Sequence, residues 1–220
     1  MSPRQYNLGK RTAQIEQSRR QVLDAARALL GEADSYTGFT LDAVAKRADV
    51  SRATVYYQFG SKTGLLEAVC DDLGVAGGLS ELVKAFTNPA PLAALAEFIA
   101  CFARFWQADR PAMRRLRALA ALDAEVHAVI SARDERRREG LAVLSAPFIN
   151  AGTNPPEEST DQQVRILLAL TSFETFDTMA GPDGDLFDAV PVITGIAATV
   201  LGANTDEDSD PLGSVQHHGR

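Results

Sequence analysis

Between Ser51 and Lys62 the chain reads SRATVYYQFGSK, and most of its side chains can touch a phosphate or a base edge. Arg52 carries a two-pronged donor that fits guanine O6 and N7 in a major groove. Thr54 has a hydroxyl for a base edge or a phosphate oxygen and a methyl that suits thymine. Ala53 is small enough to let a backbone approach closely. Tyr56 and Tyr57 hold hydroxyls on rigid rings, at the reach of phosphate oxygens. Lys62 opens the next segment, where its charge and the free N–H groups of a helix start both favour an anion. This is the chemistry of nucleic-acid contact, in which phosphates fix register and base edges choose sequence.

Such groups work only if the chain around them is rigid. From Ile15 onward, apolar residues at Val22, Ala25, Ala26, Leu29 and Leu30 trace the one-sided stripe of an amphipathic helix, which ends in the turn-rich GEADSYTGFT. Thr40 stands as an N-cap ahead of Leu41, Val44 and Ala45. Asp49-Val50 breaks that second helix, Ser51 caps a short third one closing at Gly60, and Ser61 caps a fourth carrying Leu65, Leu66 and Val69. Two helices joined by a tight turn form a helix-turn-helix if Leu41, Val44, Ala45 and Val55 pack inward. The remaining face of Ser51–Tyr57 then projects into a major groove. The other reading is a helical hairpin whose tyrosines and arginine only decorate a surface, in a helical interaction protein that binds no DNA.

The run TLDAVAKRADVSRATVYYQFGSKTGLL, Thr40 to Leu66, closely resembles the DNA-binding signature of the TetR family of bacterial transcriptional regulators. The resemblance rests on Ala48-x-Val50-Ser51, Ala53-Thr54-Val55-Tyr56, Phe59-x-Ser61-Lys62 and Leu65-Leu66. It implies a three-helix DNA-binding head and a helical body for ligand binding and dimerisation. By position it also implies that Thr40, Arg52, Ala53, Thr54, Tyr56, Tyr57 and Lys62 contact DNA, with Gln58 as a further candidate. Two residues depart from the family pattern. Asp49 stands where the family usually has Gly, and Asp tolerates a left-handed backbone better than most residues. Gly64 stands where a better helix former is usual.

The rest of the chain is helical by pattern, with no segment that alternates strictly enough for a strand, so the expected fold is all-α. GVAGGLS marks a hinge or irregularity at 74–80, Pro89 and Pro91 open a long helix, Pro111 another, and a longer one begins near Asp123. AGTNPPEES is a loop, and two last helices are expected at 161–180 and 188–201. The expected division is a flexible basic arm (1–12), a DNA-binding domain (13–60), a regulatory and dimerisation domain (61–202) and a disordered tail (203–220). Arg4, Lys10 and Arg11 on the arm are placed to enter a minor groove, or simply to stay solvated.

Charge agrees with this division. Residues 1–70 hold ten basic against seven acidic side chains, net +3, whereas the remainder is net −10. A basic end on an acidic body confines phosphate contact to that end. A two-headed molecule matches a palindromic double-stranded operator, so a homodimer is expected through the last two helices. Ile193, Ile196, Val200 and Leu201 would supply one face, and Val164, Leu167, Leu168 and Thr171 the other; the bland reading is that these faces only close the core of a single chain. A small-molecule effector of unknown identity would enter an apolar cavity lined by Phe98, Phe102, Trp106, Met113, Phe148, Phe173 and Phe176, with His127, Glu174 or Asp177 as polar anchors. The same aromatics equally describe an ordinary core. RDERRREG at 133–140 could attract an anionic ligand, but a charged run within a helix is usually a solvated face.

Other functions find little in the residues. His127 is the one histidine before the tail, so no metal-ligand spacing arises, and His217-His218 is an isolated pair. There is no glycine-rich phosphate loop and no Gly-x-Ser-x-Gly elbow, so neither an enzyme nor a cofactor is expected. No apolar run is long enough for a membrane span, and the polar N-terminus lacks a signal-peptide core. A cytoplasmic, ligand-responsive dimeric repressor is the expectation, with an activator as the variant within the same family. Cys70 and Cys101 fit free buried thiols.

Overall fold

The computed structural model describes residues 3–32, 39–151 and 157–203, and these are helical with no strand among them. The head consists of α1 (Pro3–Gly31), α2 (Leu41–Arg47) and α3 (Arg52–Phe59). Its core joins Val22, Ala26 and Leu30 of α1 to Val44 and Ala45 of α2 and Val55 of α3. The three hydroxyl caps form as expected: Thr40 accepts from the Ala43 N–H, Ser51 from Thr54 and Ser61 from Gly64. Each satisfies a helix-start donor that would otherwise be orphaned.

Helix α4 (Lys62–Ala76) leaves the head and enters the body, burying Leu65, Leu66, Val69 and Leu73. Gly64 has a steric reason. A Cβ there would lie 2.1 Å from the Phe59 carbonyl oxygen, so the chain turns from α3 into α4 over a position that admits no side chain. Gly77 is equally constrained, because its Cβ would fall 2.7 Å from the Phe105 Cα. This close approach seats the end of α4 on the central helix α6 (Pro91–Ala108). Between them lie a 3₁₀ turn at Leu79–Glu81 and the short α5 (Leu82–Thr87).

Helix α6 is buried on almost every side. Phe98, Phe102 and Trp106 stack in succession along it, with ring centroids 4.8 and 5.7 Å apart. It packs against α4, α5, α7 (Arg110–Ala120), α8 (Ala124–Ala151) and α11 (Val190–Val200), with a 3₁₀ turn at Leu186–Ala189 before the last, while α9 (Glu157–Leu170) packs on α8 and α11 and leads into α10 (Phe173–Ala180).

The structure departs from the reading of the sequence at four places. Residues 3–12, expected as a free arm, continue α1 as one helix. The helix expected at 161–180 is two: Thr171 turns its hydroxyl back onto the Leu167 carbonyl, and Ser172 caps a new start at Phe173 by accepting the Thr175 N–H. The stretch around GVAGGLS is followed by α5, which the pattern did not suggest. Most of the residues expected at a dimer interface, namely Ile193, Leu201, Val164, Leu167 and Thr171, are instead buried within the chain. The tail from 204 onward, including His217-His218, lies outside the described residues.

Candidate nucleic-acid interface and internal cavity

The turn between α2 and α3 passes through Asp49 at φ 52°, the only left-handed non-glycine among the described residues. A carboxylate side chain makes this tolerable where most residues would strain. The turn presents α3 with Val55 fully buried and Arg52, Ala53, Tyr56 and Tyr57 exposed. Tyr57 is 86% exposed and Tyr56 63% exposed, in a domain whose other large apolar groups are mostly inside. Arg52 is held 3.1 Å from Asp42 in an open surface pair, which contributes little and yields readily to a stronger partner. Thr54 shares its hydroxyl with Ser51 Oγ at 2.8 Å.

Two candidates are engaged elsewhere. The Gln58 amide donates to Ser18 Oγ at 3.1 Å, and Arg19 lies 4.6 Å over the Phe59 ring, so Gln58 turns towards α1. It helps hold α3 at its angle and does not sit on the outward face. Lys62 reaches across to Asp123, which also caps α8 by accepting the Glu125 and Val126 N–H groups. The Lys62 contact and these donors hold the Asp123 carboxyl below its usual range, although its exposure screens the effect. Lys62 is thus both the candidate phosphate ligand and a tie between head and body.

Further ties converge on α4. Arg27 of α1 bridges Asp72 of α4 at 3.2 Å and Asp109, the cap of α7, at 2.9 Å. On the other side, Arg133 of α8 pairs with Asp71 at 2.7 Å and bonds the Glu67 carbonyl at 3.0 Å. Any shift of α4 must therefore rearrange contacts to α1, α7 and α8 together.

Against α4 lies a cavity of about 470 Å³, lined by Cys70, Gly74 and Val75 of α4, Phe102, Phe105 and Trp106 of α6, Met113, Leu116 and Arg117 of α7, and Ile130, Arg133 and Arg137 of α8. Of the sequence-based candidates, Phe102, Trp106 and Met113 reach it. Phe98 packs instead against Phe86 and the α8 glycine Gly140. His127 sits exposed on α8, 3.2 Å from Ser131. Phe173 stacks edge-on behind Trp106, and Phe176 is fully buried. Glu174 is exposed, and Asp177 is engaged by Arg110 and Arg114 at 2.5 and 2.9 Å. With Phe173, these two acids border a separate open cleft. Burial pushes the Cys70 thiol up to about 11, so it meets the cavity as an uncharged group.

The arginines are what the sequence reading missed. Within 133–140, Arg133 and Arg137 turn inward, while Arg138 and Glu135 form a surface pair at 2.7 Å. The signal was their helical register with Ile130 and Leu141, which places Arg137 on the buried stripe of α8.

Comparison with known proteins now places this geometry. Residues 22–69 match the family model of the bacterial regulatory proteins of the tetR family. No curated protein matches the chain by sequence. A TetR-like transcriptional regulator from Rhodococcus sp. RHA1 has a similar fold, with a TM-score of 0.61 at 21% identity, covering 85% of this chain and 97% of that one. The TetR-family regulator PfmR from Thermus thermophilus gives a TM-score of 0.56 at 20% identity over 82% and 97% of the two chains. Among the described residues no helix is long and apolar enough to cross a membrane. Residues 22–69 thus carry the DNA-binding domain of the tetR family, and the chain as a whole shares the fold of these solved TetR-family regulators.

Proposed function

We propose that this regulator is a dimeric repressor that binds a palindromic operator through α3 and leaves it when a small organic molecule fills the cavity beside α4. The observation that carries the reading is the double role of α4. Its first residue adjoins the recognition helix, and Cys70, Gly74 and Val75 further along form one wall of the cavity. A ligand that favours a displaced α4 would move the head, whereas one that fits both positions equally would shift nothing. Arg52, Ala53 and Thr54 are the residues proposed to face bases. Tyr56, Tyr57, Thr40 and Lys62 are proposed to face phosphates.

The dimer face is proposed on the outer side of α11. Val192, Gly195, Ile196 and Thr199 recur at helical spacing and remain exposed, while Ile193 and Ala197 beneath them fill the chain's own core. Ile166 of α9 is a further exposed apolar group.

Selection of bound fragments from random duplex DNA is expected to return a palindrome, and affinity for it should fall log-linearly with salt. Arg52→Ala should cost about 1–3 kcal/mol and relax the preference at particular bases. Binding of no duplex at low ionic strength would overturn the proposal in favour of a helical interaction protein.

The Lys62–Asp123 tie makes a second, opposite prediction. Asp123→Asn keeps an acceptor for the α8 cap but removes the charge that holds Lys62. Affinity for operator and random DNA should both rise, and the salt dependence should steepen by about one phosphate contact. An unchanged slope, with Lys62→Ala also silent, would remove Lys62 from the interface.

A further inference from the structure

The cavity carries more charge than an apolar pocket needs. Arg137 is only 5% exposed, and its Nη2 lies 3.2 Å from Asp134, yet Nε and Nη1 are buried with no hydrogen-bond partner. Asp134 already accepts from both terminal nitrogens of a second guanidinium, that of Arg117, at 2.6 and 2.8 Å. One carboxylate therefore serves two arginines, and a positive charge is left over in a low-dielectric site. Arg133 does not relieve this, since its charge is matched by Asp71. Glu174 approaches Arg117 only to 3.8 Å from an exposed position.

The faces of Phe102 and Trp106 lie 5.6 and 5.5 Å from the Arg137 guanidinium. Such contacts lower the cost of burying a cation without satisfying its N–H donors. Burial depresses Arg137 to about 10, with Asp134 acting against that and Arg117 adding to it. At neutral pH the group stays protonated. An acidic body has thus placed an uncompensated buried cation on the wall of an otherwise largely apolar chamber.

Resting on the sensor reading above, we infer that the effector is an amphipathic organic acid. Its anionic head would seat on the open nitrogens of Arg137 and its apolar body would lie along Phe102, Phe105, Trp106 and Leu116. An inorganic anion would leave the apolar walls uncovered, and a neutral hydrocarbon or alcohol would leave the surplus charge in place. A cation would add to it. The head-group contact also explains how binding reaches the DNA-binding head. An anion beside Arg137 competes for the guanidiniums that Asp134 holds, at the junction of α7 and α8 where α4 rests through Arg133.

The test uses the full chain and its single tryptophan, Trp106, which forms part of the cavity wall. Decanoate and 4-phenylbutyrate are titrated below their aggregation limits, each against its alcohol, with decyltrimethylammonium as the cationic control. Tryptophan fluorescence and calorimetry report binding, and release of operator is measured in parallel. At least one acid should bind about tenfold to a hundredfold more tightly than its alcohol, the range expected for a buried hydrogen bond to a charged group. Arg137→Gln should abolish that preference, and Arg137→Lys should restore part of it. The acid-to-alcohol ratio of the unaltered protein tests the inference even if a variant misfolds. Equal binding of acid and alcohol would overturn the anionic assignment and leave the ligand-sensor reading standing. A ratio unmoved by Arg137→Gln in a folded variant would overturn the role of Arg137. Failure of every probe to bind or to release operator would overturn both.

Discussion

In size-exclusion chromatography the unaltered chain is expected to run as a dimer and Ile196→Arg protein, at the same concentration, as a monomer. Ile196 is 42% exposed and Val192, one turn earlier, is 52% exposed, so the fold of the single chain does not depend on their apolar character. Gly195 between them has open space where a Cβ would be. A charge placed there should leave helical content unchanged and cost the monomer less than about 0.5 kcal/mol, as for surface positions generally. Buried against a second copy, the same guanidinium would have no partner, and such a burial is prohibitive. The functional loss should be much larger than the structural one. A dimer on a palindrome gains from the effective concentration of its second head, and losing that gain should weaken operator binding by about 10²–10⁴-fold. Half-site binding should survive with roughly half the salt dependence, because half the phosphate contacts remain. A variant that stays dimeric and keeps full operator affinity would place the interface elsewhere.

The contrast between Ile196 and Ile193 also explains where sequence reading succeeds. The head was legible because its signals are local. Thr40, Ser51 and Ser61 each announce a helix start through a hydroxyl that bonds an N–H three residues on, and Asp49 announces a left-handed turn. Nothing distant is needed to interpret them. Gly64 reads in sequence only as a departure towards a weaker helix former, because its reason, the Phe59 carbonyl, becomes apparent only when the α3–α4 turn is built. Residues 3–12 carry no apolar stripe, yet once α1 is nucleated further on, extending it costs little per residue.

The body was legible only in outline, because apolar periodicity says that a face is covered but not by what. Val164, Leu167, Ile193 and Leu201 satisfy each other and their neighbours within one chain, so they could not be distinguished from interface residues by pattern. The aromatics of α6 had the same ambiguity, which the fold resolves residue by residue. Phe98 belongs to the core, while Phe102 and Trp106 face both core and cavity. The charged run at 133–140 was the hardest to read. A run of charges suggests solvent, and only the register of α8 distinguishes Arg137 inside from Arg138 outside.

Arg110 was absent from every sequence-based expectation, yet its replacement should damage the fold more than that of any other charged group considered above. It is buried, and its guanidinium donates to Asp177 Oδ1 at 2.5 Å, the Asp177 carbonyl at 3.1 Å, the Gly184 carbonyl at 2.9 Å and the Gly181 carbonyl. One side chain thereby fastens the start of α7 to the end of α10 and the turn that follows it. Arg110→Met keeps the stem but leaves these carbonyls without their donor, and should cost about 3 kcal/mol, as when one partner of a buried pair is removed. For a chain of this size that is a fall in Tm of about 6–12 °C. Arg114→Met, at a half-exposed position on the same carboxylate, should cost less than about 1 kcal/mol. Burial pushes the Asp177 carboxyl up, but Arg114 and Arg110 outweigh it and hold it below its usual range. Its stabilising contribution is therefore present at neutral pH and lost as pH falls through that depressed value, below about 3.9. Urea unfolding at pH 7 should separate Arg110→Met from the unaltered protein most widely, and the gap should narrow in strong acid. Equal losses for the two arginine variants at pH 7 would show that burial and the backbone carbonyls contribute nothing special at Arg110.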